Sequence, residues 1–336
     1  MEINSVVFYS TKGLSTSELP QDDTFYIQEH LNADLLSSTF EYPGDEIIRQ
    51  LINRCVELFD VFQDKIFPDR KEFNFYSSIV PIGISEGGIN SDCSISKMFF
   101  KRFFEDTGSA DDGLPAKITT PEVDKHKFLY AYLVDCQSLI STLQELILSA
   151  NDSFVGFYKL LSSVPDRSSF SETYYSINAE GRLAFNMLHS LIIQLYSTFD
   201  ITTKIAYELE NMKPCTSNYV RLASRDVLYG KRKKLKMDKV GTIFENNRQL
   251  SIVENLRNEL VHNATWEVYP KVFFIKENGR LLERSIHLPD FTEEGNLVTY
   301  KNRKRFFADG KKVNEELPVI FLEVMNRLYE TLIKLS

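Results

Sequence analysis

The sequence predicts a mainly α protein: an antiparallel helical bundle with β-hairpin additions, preceded by an N-terminal region of mixed α/β character. Three observations carry that prediction. Beyond residue 119 the apolar residues recur at helical spacing through several long runs. Residues 107–115, reading TGSADDGLP, are small, acidic and rich in turn formers, and they divide the chain near residue 118. After Trp266 the period shortens to alternation around an Asn-Gly pair. Residues 1–118 thus form one expected domain, and 119–336 a second, helical one with a β-hairpin insertion at about 266–308.

Taken in order, residues 5–9 suit a strand. Gly44 and Asp45 introduce a helix whose residues Ile47, Ile48, Leu51, Ile52, Val56, Leu58, Phe59 and Phe62 fit one buried face, and Pro68 closes it. Residues 73–84 are rich in strand formers but carry Pro81, which suits an edge strand. Residues 94–104 fit a short helix. Thr120-Pro121-Glu122 then offers a capping hydroxyl and a proline at the first helical position. The helix it starts runs to about Ala150, and a second helical stretch covers 154–164.

A third helix begins near Ser171-Glu172 or Gly181 and ends before Pro214, with Leu183, Met187, Leu191, Leu195, Phe199 and Ile205 on or near one face. A helix from Ile243 or Asn247 to Asn263 follows. Segments 268–275 and 281–288 are expected to pair through a turn at Asn278-Gly279. Residues 297–300 and 305–308 flank a basic run at 301–305, and an amphipathic helix over 317–335 closes the chain.

Composition narrows the function classes. At 43% hydrophobic and 26% charged, the 336 residues suit folded domains, and a net charge of −8 argues against a generally basic nucleic-acid coat protein. It leaves room for a local basic site. Cys55, Cys93, Cys136 and Cys215 form no CxxC pair, which points to neither a zinc site nor a compact disulfide framework. The five histidines show no HxxxH or HxH spacing, so no metal site is expected. The glycines of 83–88 lack the GK[ST] of a phosphate loop, and no cofactor is implied. Neither a secretory signal nor a membrane-spanning run is apparent, so a cytoplasmic location is expected.

The stretch with the clearest chemistry is Glu254-Asn255-Leu256-Arg257-Asn258-Glu259-Leu260-Val261-His262. An imidazole can take a proton near neutral pH, a guanidinium can hold a phosphate in a planar fork, and an amide can orient either. RNA brings its own nucleophile in the 2′-hydroxyl, so proton transfer and charge stabilisation are all that cleavage demands. On a helix, Asn258 and His262 lie about 40° apart while Arg257 is about 140° round from His262. Ile252, Leu256 and Leu260 make the apolar stripe, and His262 falls outside it. The plainer alternative is a helix C-terminus, where the dipole favours His262 and Asn263 caps the end.

The motif Arg257-Asn258-Glu259-Leu260-Val261-His262, Arg-Asn-x-x-x-His near the end of a late bundle helix, resembles that of the HEPN superfamily (higher eukaryotes and prokaryotes nucleotide-binding domain), in its ribonuclease type. Tyr196-Ser197-Thr198-Phe199-Asp200, polar residues and an acid in an apolar helix face, is a second point of likeness. The resemblance covers residues 120–265. It implies a helical bundle that pairs as a homodimer, with RNA as substrate and metal-independent cleavage by the 2′-hydroxyl. His262 would be general acid or base, Arg257 would bind the scissile phosphate, Asn258 would position a neighbour, and Asp200 would orient Arg257 or His262. A toxin or antiphage defence effector, with an antitoxin protein as a further partner, is the setting it implies. The alternative is an inactive HEPN-like module that binds RNA, a nucleotide or a protein.

Lys231, Arg232, Lys233, Lys234 and Lys236 precede the site helix. Such a run is commonly a solvated loop; beside the site it would serve as a funnel for RNA phosphates.

Overall fold

Five helices and seven strands form among the residues that the computed structural model describes: 5–20, 25–32, 37–71, 73–74, 121–167, 172–212, 222–226 and 234–336. The strands are β1 (Ser5–Ser10), β2 (Ser15–Thr16), β3 (Tyr26–Asn32), β4 (Ser37–Glu41), β5 (Tyr174–Ser176), β6 (Val272–Glu277) and β7 (Arg280–Ser285). The helices are α1 (Glu46–Ile66), α2 (Pro121–Ser163), α3 (Ala179–Glu210), α4 (Arg248–Asn263) and α5 (Val313–Leu335). The fold is mainly helical with two small antiparallel sheets. No described helix is long and apolar enough to cross a membrane.

The chain forms two compact units, each assembled from separated segments. The first comprises 1–51, 146–199 and 239–331, and the second 52–145, 200–238 and 332–336. The domain boundary expected near residue 118, the linker at 107–115 and the helix at 94–104 lie outside the described residues. So does the strand expected over 73–84, apart from Phe73 and Asn74, which are helical.

Both sheets belong to the first unit. The larger runs β2-β1-β3-β4, with Val7 opposite Glu29 and Glu29 opposite Phe40. Ile27 and Glu29 on β3 are buried. The Glu29 carboxylate accepts from the Tyr9 hydroxyl and the Lys159 ammonium, which offsets the cost of burying it. The smaller sheet runs β5-β6-β7. Its hairpin turns at Asn278 (φ 51°) and Gly279 (φ 79°), the two positive values that a type I′ turn needs. Gly13 brings the two sheets together. A Cβ there would stand 2.4 Å from the carbonyl oxygen of Arg284, whose own N–H donates to the Lys12 carbonyl at 2.8 Å.

The helices correct two sequence expectations. The stretches expected to break after Ala150 are one continuous α2, because polar side chains at 151–153 do not interrupt the backbone ladder. Asn151 instead accepts from the Tyr42 hydroxyl at 2.7 Å, and the Ser153 hydroxyl faces that of Ser190 at 3.4 Å. At the start of α3, Leu183 and Met187 are exposed, while Ala184, Phe185, Leu188, Leu191 and Ile192 turn inward. Phe185 sets that rotation by packing on buried Trp266. Beyond the β6–β7 hairpin, Phe291–Leu297 and Tyr300–Arg303 form isolated bridges.

The second unit holds the later part of α1 and the first part of α2, together with the end of α3. Tyr132 donates to Glu208 at 2.9 Å, and the other oxygen of that buried carboxylate takes the Ser224 amide at 2.8 Å. Cys55 and Cys136 are buried free thiols in this unit.

Candidate functional site

The site begins with the start of α4. Asn247 is its N-cap, with Oδ1 accepting from the amides of Gln249 (2.8 Å) and Leu250 (3.3 Å). The Asn247 side-chain amide donates to Glu323 on α5 at 3.0 Å, so the cap is also a tertiary tie. Arg327, one turn along α5, donates to Glu323 at 2.6 Å, to Glu245 at 2.9 Å and to the Thr242 carbonyl at 3.2 Å. The approach to α4 is thereby held rigidly in register with α5.

Ile252, Val253 and Leu256 face the core. The expected stripe continues to Leu260, but the buried position in the next turn is Glu259, and Leu260 is half-buried. A carboxylate in that place needs a partner. Its Oε2 accepts from Arg305 Nε at 2.9 Å and Nη2 at 2.8 Å, and from the Asn263 side chain at 3.0 Å. The helix ends one residue after the expected cap: Ala264, not Asn263, takes the left-handed conformation, with φ 65°.

On the outer faces of this helix lie the residues singled out from the sequence. The guanidinium of Arg257 stands 4.6 Å from the ring centre of Tyr196 on α3, and its Nη1 donates to Asn258 Oδ1 at 3.1 Å. Asn258 is half-buried. His262 is exposed in the last turn, and its imidazole makes no hydrogen bond or ion pair among the described residues. Arg257 is oriented by an aromatic face and an amide, whereas His262 is left uncommitted. Asp200, also half-buried, lies one turn beyond Tyr196 in the second unit.

Of the basic run expected to serve as a funnel, Lys231, Arg232 and Lys233 lie outside the described residues. Lys234 and Lys236 are exposed in the second unit. The main-chain N–H of Lys236 donates to both oxygens of Glu210 at 2.9 Å, and that of Met237 to the same carboxylate at 2.8 Å.

A different basic segment reaches α4. Residues 290–309 form a strap closed at its base by Asp290. The Asp290 carboxylate accepts the amides of Ala308 (2.8 Å) and Asp309 (3.0 Å), while its main chain pairs with Val298 and Phe306. At one end the strap packs so closely on the first turn of α4 that a Cβ on Gly295 would lie 2.3 Å from the Arg248 carbonyl oxygen. Asn255 donates to the Gly295 carbonyl at 3.2 Å. At the other end Arg305 clasps Glu259. Sequence reasoning noted the basic run at 301–305 but gave it no place at the site. The available signal was Glu259, an acid at an inward position that requires a cation from elsewhere.

His189 lies edge-on to Trp266 with ring centres 4.9 Å apart, and its buried Nε2 has no hydrogen-bond partner among the described residues. A separate cleft of about 670 Å³ lies between β3, β4 and the start of α1, lined by Tyr26, Thr39, Glu41 and Arg49 among others. It contains none of the α4 residues. Among the described residues no group of three or more His, Cys, Asp or Glu side chains could hold a metal ion.

No protein-family model, curated protein or solved structure matches this chain.

Proposed function

We propose that this protein is a metal-independent endoribonuclease of HEPN type, cleaving RNA by attack of the 2′-hydroxyl on the adjacent phosphodiester. The observation that carries the reading is the division of labour on α4. Arg257 is held by Tyr196 and Asn258, and His262 stands exposed with its imidazole making no hydrogen bond or ion pair among the described residues. A fixed guanidinium suits a phosphate whose charge grows in the transition state, and a free imidazole suits proton transfer. General acid–base catalysis of that kind contributes about 10²–10⁴-fold. Arg257 and His262 lie about 140° apart around the helix, so one copy presents them on different flanks. Pairing of two copies as a homodimer supplies both groups to one groove. An RNA-cleaving toxin or antiphage effector restrained by an antitoxin protein is the setting that fits such an activity.

That same separation favours a second reading, a catalytically silent module that binds RNA, a nucleotide or a protein. Incubating the purified protein with mixed RNA in EDTA, beside Arg257→Ala and His262→Ala, separates the two. Cleavage abolished in both variants is the expected result. Binding by all three proteins without cleavage by any overturns the nuclease in favour of the silent module.

A further inference from the structure

The tip of the strap is a two-residue turn built without glycine. The N–H of Tyr300 donates to the Arg303 carbonyl at 3.0 Å and that of Arg303 to the Tyr300 carbonyl at 2.9 Å. The two residues between them, Lys301 (φ 45°) and Asn302 (φ 61°), both take positive φ, as does Arg305 just beyond (φ 68°). Lysine and arginine avoid this region at a cost of about 1 kcal/mol or more each. The conformation is imposed by the anchors on either side, Asp290 at the base and Glu259 beneath Arg305. Such an arrangement keeps cationic side chains at the tip of a fixed turn.

What it presents is specific. Lys301, Arg303 and Lys304 are all exposed and have no ion pair among the described residues, unlike Arg305, whose charge Glu259 takes up. Immediately before them Tyr300 is 63% exposed, with the Lys301 ammonium 5.4 Å from its ring centre. Three exposed cations without an ion pair among the described residues thus fall within four positions of an exposed tyrosine, on a chain whose net charge is −8. Their position is defined as well: Glu259 lies about 60° round α4 from His262, on the side away from Arg257.

We propose that the tip formed by residues 300–304 is a docking element for single-stranded RNA. Lys301, Arg303 and Lys304 take backbone phosphates, and Tyr300 stacks an unpaired base. The choice of RNA rests on the reading of α4 as a nuclease site; the cationic and aromatic geometry does not. A single strand is favoured over a duplex because Tyr300 offers a stacking face, and paired bases have none to spare. The element lies outside the helical motif and would lead the strand across the flank that carries His262.

The test uses the full chain and a fluorescently labelled single-stranded 2′-O-methyl RNA, whose blocked 2′-oxygen prevents cleavage, with binding read by anisotropy across a salt series. In the variant combining Lys301→Ala, Arg303→Ala and Lys304→Ala, affinity is expected to fall at least about 10-fold. The slope of log affinity against log salt should fall by about 2, at ~0.7 for each single-strand phosphate that the variant no longer neutralises. Tyr300→Ala should weaken binding about 10-fold with the slope unchanged, because stacking releases no counterions. Thermal melts of both variants should match the parent, since none of these side chains holds the strap in place.

Unchanged affinity and slope in the triple variant overturns the proposal, as does failure of the parent protein to bind this RNA. Displacement of the RNA by polyglutamate at equal charge overturns it in favour of an acidic protein partner. Unmodified RNA separates this proposal from the nuclease reading. Cleavage by the triple variant with an unaltered KM removes the docking element and leaves the nuclease. Tip-dependent binding without cleavage removes the nuclease and leaves the docking element.

Discussion

Arg257 rests on the face of Tyr196, its guanidinium carbon 4.6 Å from the ring centre, and this packing joins the helix bearing the motif to the long helix α3. A cation over an aromatic face contributes about 0.5–2 kcal/mol, depending on how far water is excluded. Tyr196→Leu is therefore expected to lower stability by about that amount in chemical denaturation, with Tyr196→Phe close to the parent. If Arg257 acts on the scissile phosphate, Tyr196→Leu also slows single-turnover RNA cleavage more than it weakens RNA binding. An unchanged cleavage rate would show that the orientation of Arg257 is irrelevant to the chemistry.

Glu259 is buried, and Arg305 is its only cationic partner among the described residues. Arg305→Ala leaves a carboxylate without its counter-charge and should destabilise the protein by about 2–4 kcal/mol, the lower end reflecting that Arg305 itself is partly exposed. Glu259→Gln should cost less, because an amide can remain hydrogen-bonded without demanding a charge. Urea denaturation of the two variants checks the order. Equal, small losses would mean that the strap is not fastened at this point.

Ala264 ends α4 in the left-handed conformation, which a Cβ disfavours. Ala264→Gly relieves that strain at the price of a more flexible unfolded chain, and the net expectation is a gain of about 0.5–1 kcal/mol. A rise in the thermal midpoint with no change at His262 is the result to look for. A fall would show that the neighbouring turn, not the cap, dictates this backbone.

Stability should decline as the solution is acidified below neutrality. Burial pushes the His189 imidazole below its ordinary value of 6.5. His287 moves the same way through burial and the positive charge of Lys312 and Lys271, against the opposing pull of Glu283. The unfolded chain thus binds protons more readily than the folded one. The stabilisation is fully present above about pH 6.5 and is lost as pH falls from there through the depressed folded-state values. His189→Phe, which keeps a ring against Trp266, should flatten part of that decline between pH 7 and 5. An identical pH profile in the variant would assign the whole effect to other groups.

Much of the architecture was legible in local pattern. The helix α1, the final helix and the Asn278-Gly279 hairpin follow from periodicity and turn chemistry, which act between near neighbours in the chain. Local pattern misled where side chains of mixed character had two uses. Asn151, Asp152 and Ser153 looked like a break and are helical. Leu183 and Met187 looked inward and are exposed, because Phe185 and Trp266 settle the rotation of α3.

For the site, the sequence by itself determined which groups share α4: a guanidinium, an amide and an imidazole, with His262 away from the apolar face. Only the tertiary structure decided that Tyr196 lies beneath Arg257 and that the basic segment fastened to α4 is 301–305, through Arg305 and Glu259. The reason is physical. Helical spacing is dictated by bonds along the backbone and can be counted from the residue order. The partner of a buried charge is whichever opposite charge packing carries to it, here from 46 positions away, and no local pattern encodes that choice.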